Sequence, residues 1–401
     1  MKIALAIQNA DRRRGGAEAY TLDLARALAT RGHQVTVVAE EGPAAVAQSA
    51  RDSGFQCIYL GSKGATRWGR LQNFLHRMHE LYNNRSYPIL HAMLPLHRCD
   101  VYQPHSGLAS EMLAAGHLKH VHWLRQRGSW LTNQIHAKRR GLAKIEKQML
   151  SHDPPPYILC FSTMMRDFAR DHFSLHEGRL VLLMNGIDLA RFDPASLPQK
   201  SRTAVREEWH LAPNQPVALF VGNNWKLKGL PEALAALAAC DNKKLALMVV
   251  GKGNPQPFRK QAAALGVAER LLFIGNGQGV ADPRPLYAAA DFLFLPTRKD
   301  TCSLVALEAL AMGLPVITTR QNGASEALTD GVHGYVLDRG NTPALAAALN
   351  ALCDPARRHE MSQAALTLRS ALSFEHHVSR IESVYASVLS PAGRSPQRLL
   401  A

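Results

Sequence analysis

The chain has no run of about 18 apolar residues, so the sequence offers no membrane-spanning helix. Its six cysteines stand at 57, 99, 160, 240, 302 and 353, and none forms a CxxC pair. Cysteine usage of that kind reads as a reduced cytosolic protein rather than a disulfide scaffold. No Cys/His/Asp set has metal-ligand spacing, which leaves no metal centre to assign. Internal repeats and low-complexity tracts are also missing. The opening residues Met1–Ile7 are too short for a signal-peptide core and read as a first strand. Acidic residues are scarce beside basic ones, 32 against 47, for a net charge of +15. That balance favours anionic partners without choosing among nucleic acid, membrane and phosphorylated substrate.

What is present suits a two-domain α/β protein. The 401 residues and 46% hydrophobic content allow sizeable cores. Residues 2–7 form an apolar strand, followed by Asn9–Glu18, a polar loop ending in Gly15-Gly16. Helical spacing then runs from Ala17 to Thr30, and 34–39 reads as a second strand. Glycines at a helix start either make a tight turn or let backbone N–H groups approach a phosphate. A dehydrogenase would show GxGxxG here, and this chain does not. Further strands are expected at 57–60, 89–92, 157–162, 181–184, 217–222, 245–250, 271–275, 291–295 and 315–319. Between 89–92 and 157–162, residues 93–107 read as one Pro- and Gly-rich loop. Pro194 to Ala204 is rich in Pro, Ser and Lys and reads as a linker. Residues 374–389 have the pattern of a final amphipathic helix, and 391–401 that of a disordered tail.

One stretch organises the rest. The apolar run 291–295 leads into a polar loop containing Asp300, and then into a small-residue helix from about Ser303 to Ala311 that contains Glu308. A carboxylate in an apolar helix is costly unless something pairs with it, and a ligand's hydroxyls would serve.

An acidic residue, seven intervening residues and Glu resembles the signature of family 4 of the retaining nucleotide-sugar glycosyltransferases, which have the GT-B fold. Supporting matches are Gly-Gly-Ala-Glu at 15–18, Asn185-Gly186-Ile187-Asp188 with Arg191-Phe192-Asp193-Pro194, Gly222 with Lys228, Asn322–Glu326 and Asp330–Val336. The resemblance covers most of the chain and is thin from 41 to 156. It implies two Rossmann-like doubly wound domains facing across a cleft: 1–193 on the acceptor side, linker 194–204, 205–371 for the nucleotide sugar, and 372–390 crossing back.

It also implies roles. Glu308 is expected on the nucleotide ribose and Asp300 on the sugar hydroxyls. Lys228 and the Gly15 and Gly16 amides are expected on phosphate, with the Leu304 and Val305 amides after Ser303. Gly222, Ile274 and Asn276 are expected along the donor site. Asn223 stands where the family usually has Arg, and Lys226 is the candidate to supply that charge. The triplet Asp100-Val101-Tyr102 is similar to lipopolysaccharide core glucosyltransferases within the family. By that likeness His105, and secondly Asp100, are candidates near the donor sugar. The implied reaction is retaining and metal-independent, with no cofactor beyond the nucleotide-sugar co-substrate. The donor is UDP-glucose or similar, and the acceptor a glycan or glycolipid. An epimerase of the same shape, or a non-catalytic nucleotide-sugar-binding membrane protein, is the alternative. Nucleic-acid binding has no signature.

Residues 116–150 hold eight Lys/Arg and one Glu, a net of +7. As a helix from Ser129 to Leu150, Leu131, Ile135, Leu142, Ile145 and Met149 share one arc, with Lys138 among them. Arg140, Lys144 and Lys147 face away, Arg139 adds charge, and Trp123 and Trp130 lie at or before its start. Basic face, apolar stripe and tryptophans predict a helix lying on an anionic membrane, at the inner face of the cytoplasmic membrane.

Overall fold

The computed structural model describes residues 1–390 apart from 62, 85, 106, 116–136, 199 and 281. It divides into two compact units, Met1–Met184 with the chain from His377, and Asn185–His376.

In the first unit the chain runs β1 (Lys2–Asn9), α1 (Gly16–Thr30), β2 (Gln34–Glu41), α2 (Ala44–Asp52), β3 (Gln56–Tyr59), α3 (Arg67–Asn83) and β4 (Ile89–Ala92). It continues through β5 (Val101–Tyr102), α4 (Ala109–Ala115), α5 (Ala137–Leu150), β6 (Tyr157–Cys160), α6 (Thr163–Phe173) and β7 (Leu180–Leu182). The sheet order is β3-β2-β1-β4-β5-β6-β7, with every pair parallel. Strands with helices on both faces must be apolar throughout, and Ile3–Ala6 and Val37–Ala39 are buried without interruption. Thr66 and Ser162 start α3 and α6 by accepting the Gly69 and Met165 amides at 3.0 and 3.3 Å.

The second unit runs α7 (Ser201–Glu208), β8 (Val217–Val221), α8 (Leu230–Ala239), β9 (Ala246–Val250), α9 (Gln256–Ala264), β10 (Leu271–Ile274) and α10 (Arg284–Ala289). Then come β11 (Phe292–Leu295), α11 (Leu304–Ala311), β12 (Val316–Thr319), β13 (Gly334–Leu337), α12 (Thr342–Cys353) and α13 (Pro355–Thr367), and last α14 (Phe374–Leu389), which belongs to the first unit from His377 on. The second unit's parallel sheet has the order β10-β9-β8-β11-β12-β13. Each sheet therefore reverses its winding once, between β1 and β4 and between β8 and β11. Those switch points are where open parallel sheets bind ligands, beyond the carboxyl ends of the strands.

Three expectations change. The division falls at Met184/Asn185, ahead of the predicted boundary at 193, and the return falls at 376/377 within α14. Residues 194–204 are not a free linker but a 3-10 turn at Pro194–Ser196 and the start of α7. Arg202 and Arg206 of α7 clamp Asp291 at 2.7 and 3.0 Å, while Asp291 also accepts the Val217 amide at 2.8 Å. Finally, the loop read over 93–107 contains β5, two residues long, paired with both β4 and β6.

Candidate functional site

The second unit's switch point is built from two loops. Beyond β8, Gly222 donates its amide to Val250 O at 3.0 Å, and Asn223 Oδ1 accepts the Lys252 amide at 2.8 Å. Trp225 anchors the loop from below, its ring buried against Phe258 and Phe273. The loop closes at Gly229, φ +86°, which opens α8. Beyond β11, the Arg298 amide and the Thr297 hydroxyl both donate to Leu227 O, at 2.9 and 3.1 Å. Arg298 and Glu232 reinforce this with a largely buried ion pair at 2.7 Å. The two loops touch so closely that a Cβ on Gly229 would stand 1.9 Å from Pro296 O.

This tie sets Lys228 against Asp300, whose side chains form an ion pair. Both are mostly buried, with 22% and 14% of the side chain exposed, so solvent screens the pair only partly. The Asp300 backbone is held by Gln321 O and Gly323 N, at 2.9 and 3.0 Å. Buried Asn322 accepts the Ser303 amide at 3.1 Å and places the start of α11. Ser303 makes no side-chain cap. The first N–H of that helix to bond back is Ala306, to Ser303 O at 3.2 Å, so the Leu304 and Val305 amides form its open positive end.

Glu308 lies about one turn along α11. Where the sequence reading looked to a ligand to pair with it, Glu308 already has a partner inside the chain, since the Tyr287 hydroxyl donates to its Oε2 at 2.7 Å. Burial pushes the Glu308 carboxyl up, opposed by that hydrogen bond and by the Arg191 guanidinium. Lys226 is exposed. Asn276 adopts φ +43° just after β10, and the buried Ile274 side chain leaves only its backbone to face a ligand. The Gly253 amide bonds Gly277 O at 3.0 Å and holds the two neighbouring loops together.

In the first unit, Gly15 precedes α1, whose first turn carries Glu18. Arg12, Arg13 and Arg14 are paired with Asp23, Asp11 and Glu41. The guanidinium of Arg13 lowers the Asp11 carboxyl to about 2. His105 follows β5 at the carboxyl end of the sheet, its ring 4.1 Å from Tyr20 and 4.8 Å from Phe161. Its Nε2 is buried without a hydrogen bond. Burial holds the ring well below the usual histidine range, so it is neutral at pH 7.

Asp100 is a correction. It precedes β5, at the amino end of the sheet, and its carboxylate accepts the Leu90 amide at 2.7 Å and the Tyr82 hydroxyl at 3.4 Å. It braces β4 against α3 and does not join His105. The sequence reading also missed Tyr20, Gln103 and His377, which meet beside His105. The Tyr20 hydroxyl lies 2.5 Å from His377 Nε2 and 3.2 Å from Gln103 Oε1. No local pattern marks residues so far apart in sequence.

The basic helix is described only over α5. Trp123, Trp130, Leu131 and Ile135 lie outside the described residues. The apolar stripe at Ile145 and Met149 is buried, Met149 against Cys99 at 3.5 Å, so that part of it packs in the unit's own core. Lys138, predicted on the stripe, donates to Gln8 at 3.1 Å. Buried Glu146, within the same helix, accepts the Tyr102 hydroxyl and the Ala109 and Ser110 amides at 2.7, 2.7 and 2.8 Å. Arg139, Arg140, Lys144 and Lys147 are exposed. Among the described residues no helix is long and apolar enough to cross a membrane, and no cluster of three metal-ligating side chains occurs.

Residues 14–191 match a family model described as Glycosyltransferase Family 4, and residues 215–354 one described as Glycosyl transferases group 1. Similar curated proteins include the D-inositol 3-phosphate glycosyltransferases of Geodermatophilus obscurus and Salinispora tropica. The first is 34% identical, over 57% of this chain and 52% of the relative. The second is 28% identical, over 70% and 66%. The alignments thus span about half to two thirds of those relatives. Among solved structures, WaaG, a glycosyltransferase involved in lipopolysaccharide biosynthesis, superposes with a TM-score of 0.77 at 21% identity, covering 96% of this chain and 99% of that one. HepE of Anabaena, solved with UDP and glucose, gives 0.72 at 18% identity, covering 96% and 100%. The fold is α/β of the GT-B type, with a glycosyltransferase match in each unit.

Proposed function

We propose that the chain is a retaining, metal-independent glycosyltransferase that moves a hexose from a nucleotide sugar, UDP-glucose or similar, to a glycan or glycolipid. The observation that carries this is the Lys228–Asp300 pair at the β8/β11 switch point, with the open N-terminus of α11 and Glu308 alongside. A leaving diphosphate gathers negative charge as the sugar departs, and pre-placed positive groups stabilise it. Lys228 and the Leu304 and Val305 amides supply that charge. Asp300 accepts from sugar hydroxyls and holds Lys228 in place until the donor arrives. Glu308 accepts from the ribose through whatever capacity Tyr287 leaves. In the first unit, the Gly15 and Gly16 amides serve phosphate, and the neutral His105 Nε2 serves a sugar hydroxyl.

The acceptor has two supported readings. Likeness of fold to a lipopolysaccharide-pathway enzyme supports a lipopolysaccharide core sugar. The names of the curated relatives support a phosphorylated inositol. The exposed basic face of α5 supports peripheral attachment to an anionic membrane surface, at the cytoplasmic side.

The test begins with a thermal-shift screen of nucleotide sugars. A donor present at about 100 times its Kd stabilises the protein by about 2.7 kcal/mol. The donor so found is then offered with each acceptor class, with EDTA present, and the product anomer is read by NMR. The expected result is transfer with retained configuration. Inversion, or a requirement for added metal, overturns the mechanism. An epimer released without acceptor, or binding without turnover, overturns glycosyl transfer itself.

A further inference from the structure

The second unit holds a cavity of about 390 Å³ on the other side of its sheet's strand ends from the β8 and β11 loops. Asp291, immediately before β11, and Leu314, two residues before β12, line it, so it lies beyond the amino ends of those strands. Helix α13 supplies the facing wall through Pro355, Arg358, His359 and Ser362. These four are three or four residues apart and so form one face of the helix. Glu360 lies off that face and pairs with Arg357 instead. Among the described residues that line the cavity, Asp291 is the only carboxylate.

Three guanidinium groups gather around that carboxylate. Asp291 accepts from Arg202 at 2.7 Å and from Arg206 at 3.0 Å. Arg206 is buried, and its remaining donors go to the carbonyls of Ala289, Ala212, Pro213 and Gln215. Arg202 Nη1 closes the end of α10, donating to Ala288 O, Ala289 O and Ala290 O at 3.0, 3.2 and 3.0 Å. Arg358 Nη1 closes the end of α12, donating to Leu352 O and Cys353 O, both at 2.8 Å. Among the described residues, Nη2 and Nε of Arg358 have no partner. Carbonyls accept hydrogen bonds but carry no net charge, so one carboxylate faces three cations. Burial lowers the Arg206 guanidinium, and Arg202 and Arg358 push the same way against Asp291.

We propose that this cavity is a binding site for a small phosphate monoester, with the phosphate on Arg358 between Arg202 and His359. A guanidinium edge with free Nη2 and Nε donors matches two phosphate oxygens at once. The charge decides for phosphate over a carboxylate, because a dianion balances the two cations that Asp291 leaves over. The size decides for an ester, because the cavity falls in the range of small-molecule pockets and bare phosphate would leave most of it open. The organic part of the ligand lies along Ser362, Pro355 and Leu314. This site stands at the amino ends of the strands, so it does not depend on the role given to Lys228 at their carboxyl ends.

The test is calorimetric titration of the full-length chain with glycerol 3-phosphate at fixed ionic strength, with glycerol as the control. The expected result is one saturable site for the phosphate ester and none for glycerol. Lys228→Ala should bind the ester as the native chain does. The double variant His359→Glu with Ser362→Asp leaves the hydrogen bonds of Arg202 and Arg358 in place, and it should weaken binding about tenfold or more because two carboxylates then face the anion. Arg358→Gln, which removes the fork itself, should weaken it at least as much, and circular dichroism checks that each variant is folded. Absence of saturable binding to the native chain overturns the proposal. So does undiminished binding in the folded double variant, which would leave the arginines as helix caps alone. Loss of binding in Lys228→Ala also overturns it, since the ester would then sit at the β8 and β11 loops.

Discussion

Gly229→Ala tests how tightly the two site loops are locked together. Two terms add at this position. A non-glycine residue at φ +86° pays the left-handed backbone penalty, about 1 kcal/mol. The new Cβ would also stand 1.9 Å from Pro296 O, so backbone must move, and overpacking of that kind costs about 1–3 kcal/mol. The sum is about 2–4 kcal/mol. Gly266→Ala separates the terms within the same unit, because φ there is +68° and no atom lies within 4 Å of the added methyl. It should lose only the backbone term. Urea unfolding followed by a probe of the second unit, such as Trp225 fluorescence, measures both variants. Since Gly229 holds the Lys228 loop against the strand-to-helix loop bearing Asp300, Gly229→Ala should also weaken nucleotide-sugar binding, while Gly266→Ala should not. Equal losses of stability in the two variants, or unchanged donor affinity in Gly229→Ala, would refute the idea that this contact sets the site.

Further expectations concern charge. Lys228→Ala should lose about 2–4 kcal/mol of transition-state stabilisation, read as kcat/KM for transfer, and Glu308→Gln should lose most turnover with the fold intact; near-normal turnover of both at saturating donor would remove them from the mechanism. Glu146→Ala leaves two amides and a phenol without their acceptor and should cost about 3–5 kcal/mol in denaturant unfolding; a change below about 0.5 kcal/mol, the range of ordinary surface substitutions, would contradict the capping role. Burial raises the Glu146 carboxyl, so this group's favourable contribution is complete below its unfolded pKa and is lost as pH rises through the folded one. Glu146→Gln should flatten that part of the stability–pH curve, and an unchanged curve would show that another group is responsible. Replacing Arg139, Arg140, Lys144 and Lys147 by Gln should release the protein from anionic vesicles at low salt, at about 1 kcal/mol per residue, without changing donor binding. Equal sedimentation of the variant would show that these side chains only solvate the helix.

The sequence by itself determined the architecture of each unit. Continuous apolar runs such as Val217–Val221 and Phe292–Leu295 require strands covered on both faces, and the alternation with helices requires parallel pairing. It also placed Gly222, Lys228, Asp300 and Glu308 in loops or helices after strands, because those signals are local: a strand ends, a glycine or polar residue follows, a helix begins. The tertiary structure decided what such signals cannot carry. Strand order brought β8 beside β11 and so paired Lys228 with Asp300, 72 residues apart. It supplied Tyr287 to Glu308 and gathered Tyr20, Gln103 and His377 beside His105. It hid a two-residue β5 inside what reads as loop, which sent Asp100 to one end of the sheet and His105 to the other. It buried Ile145 and Met149 of the basic helix in the unit's own core. Periodicity records which residues share a face, since that depends on backbone geometry a few residues long. What covers the face, and which distant side chain meets a buried charge, depends on the order in which strands assemble, and that order is settled only by the packing of the whole unit.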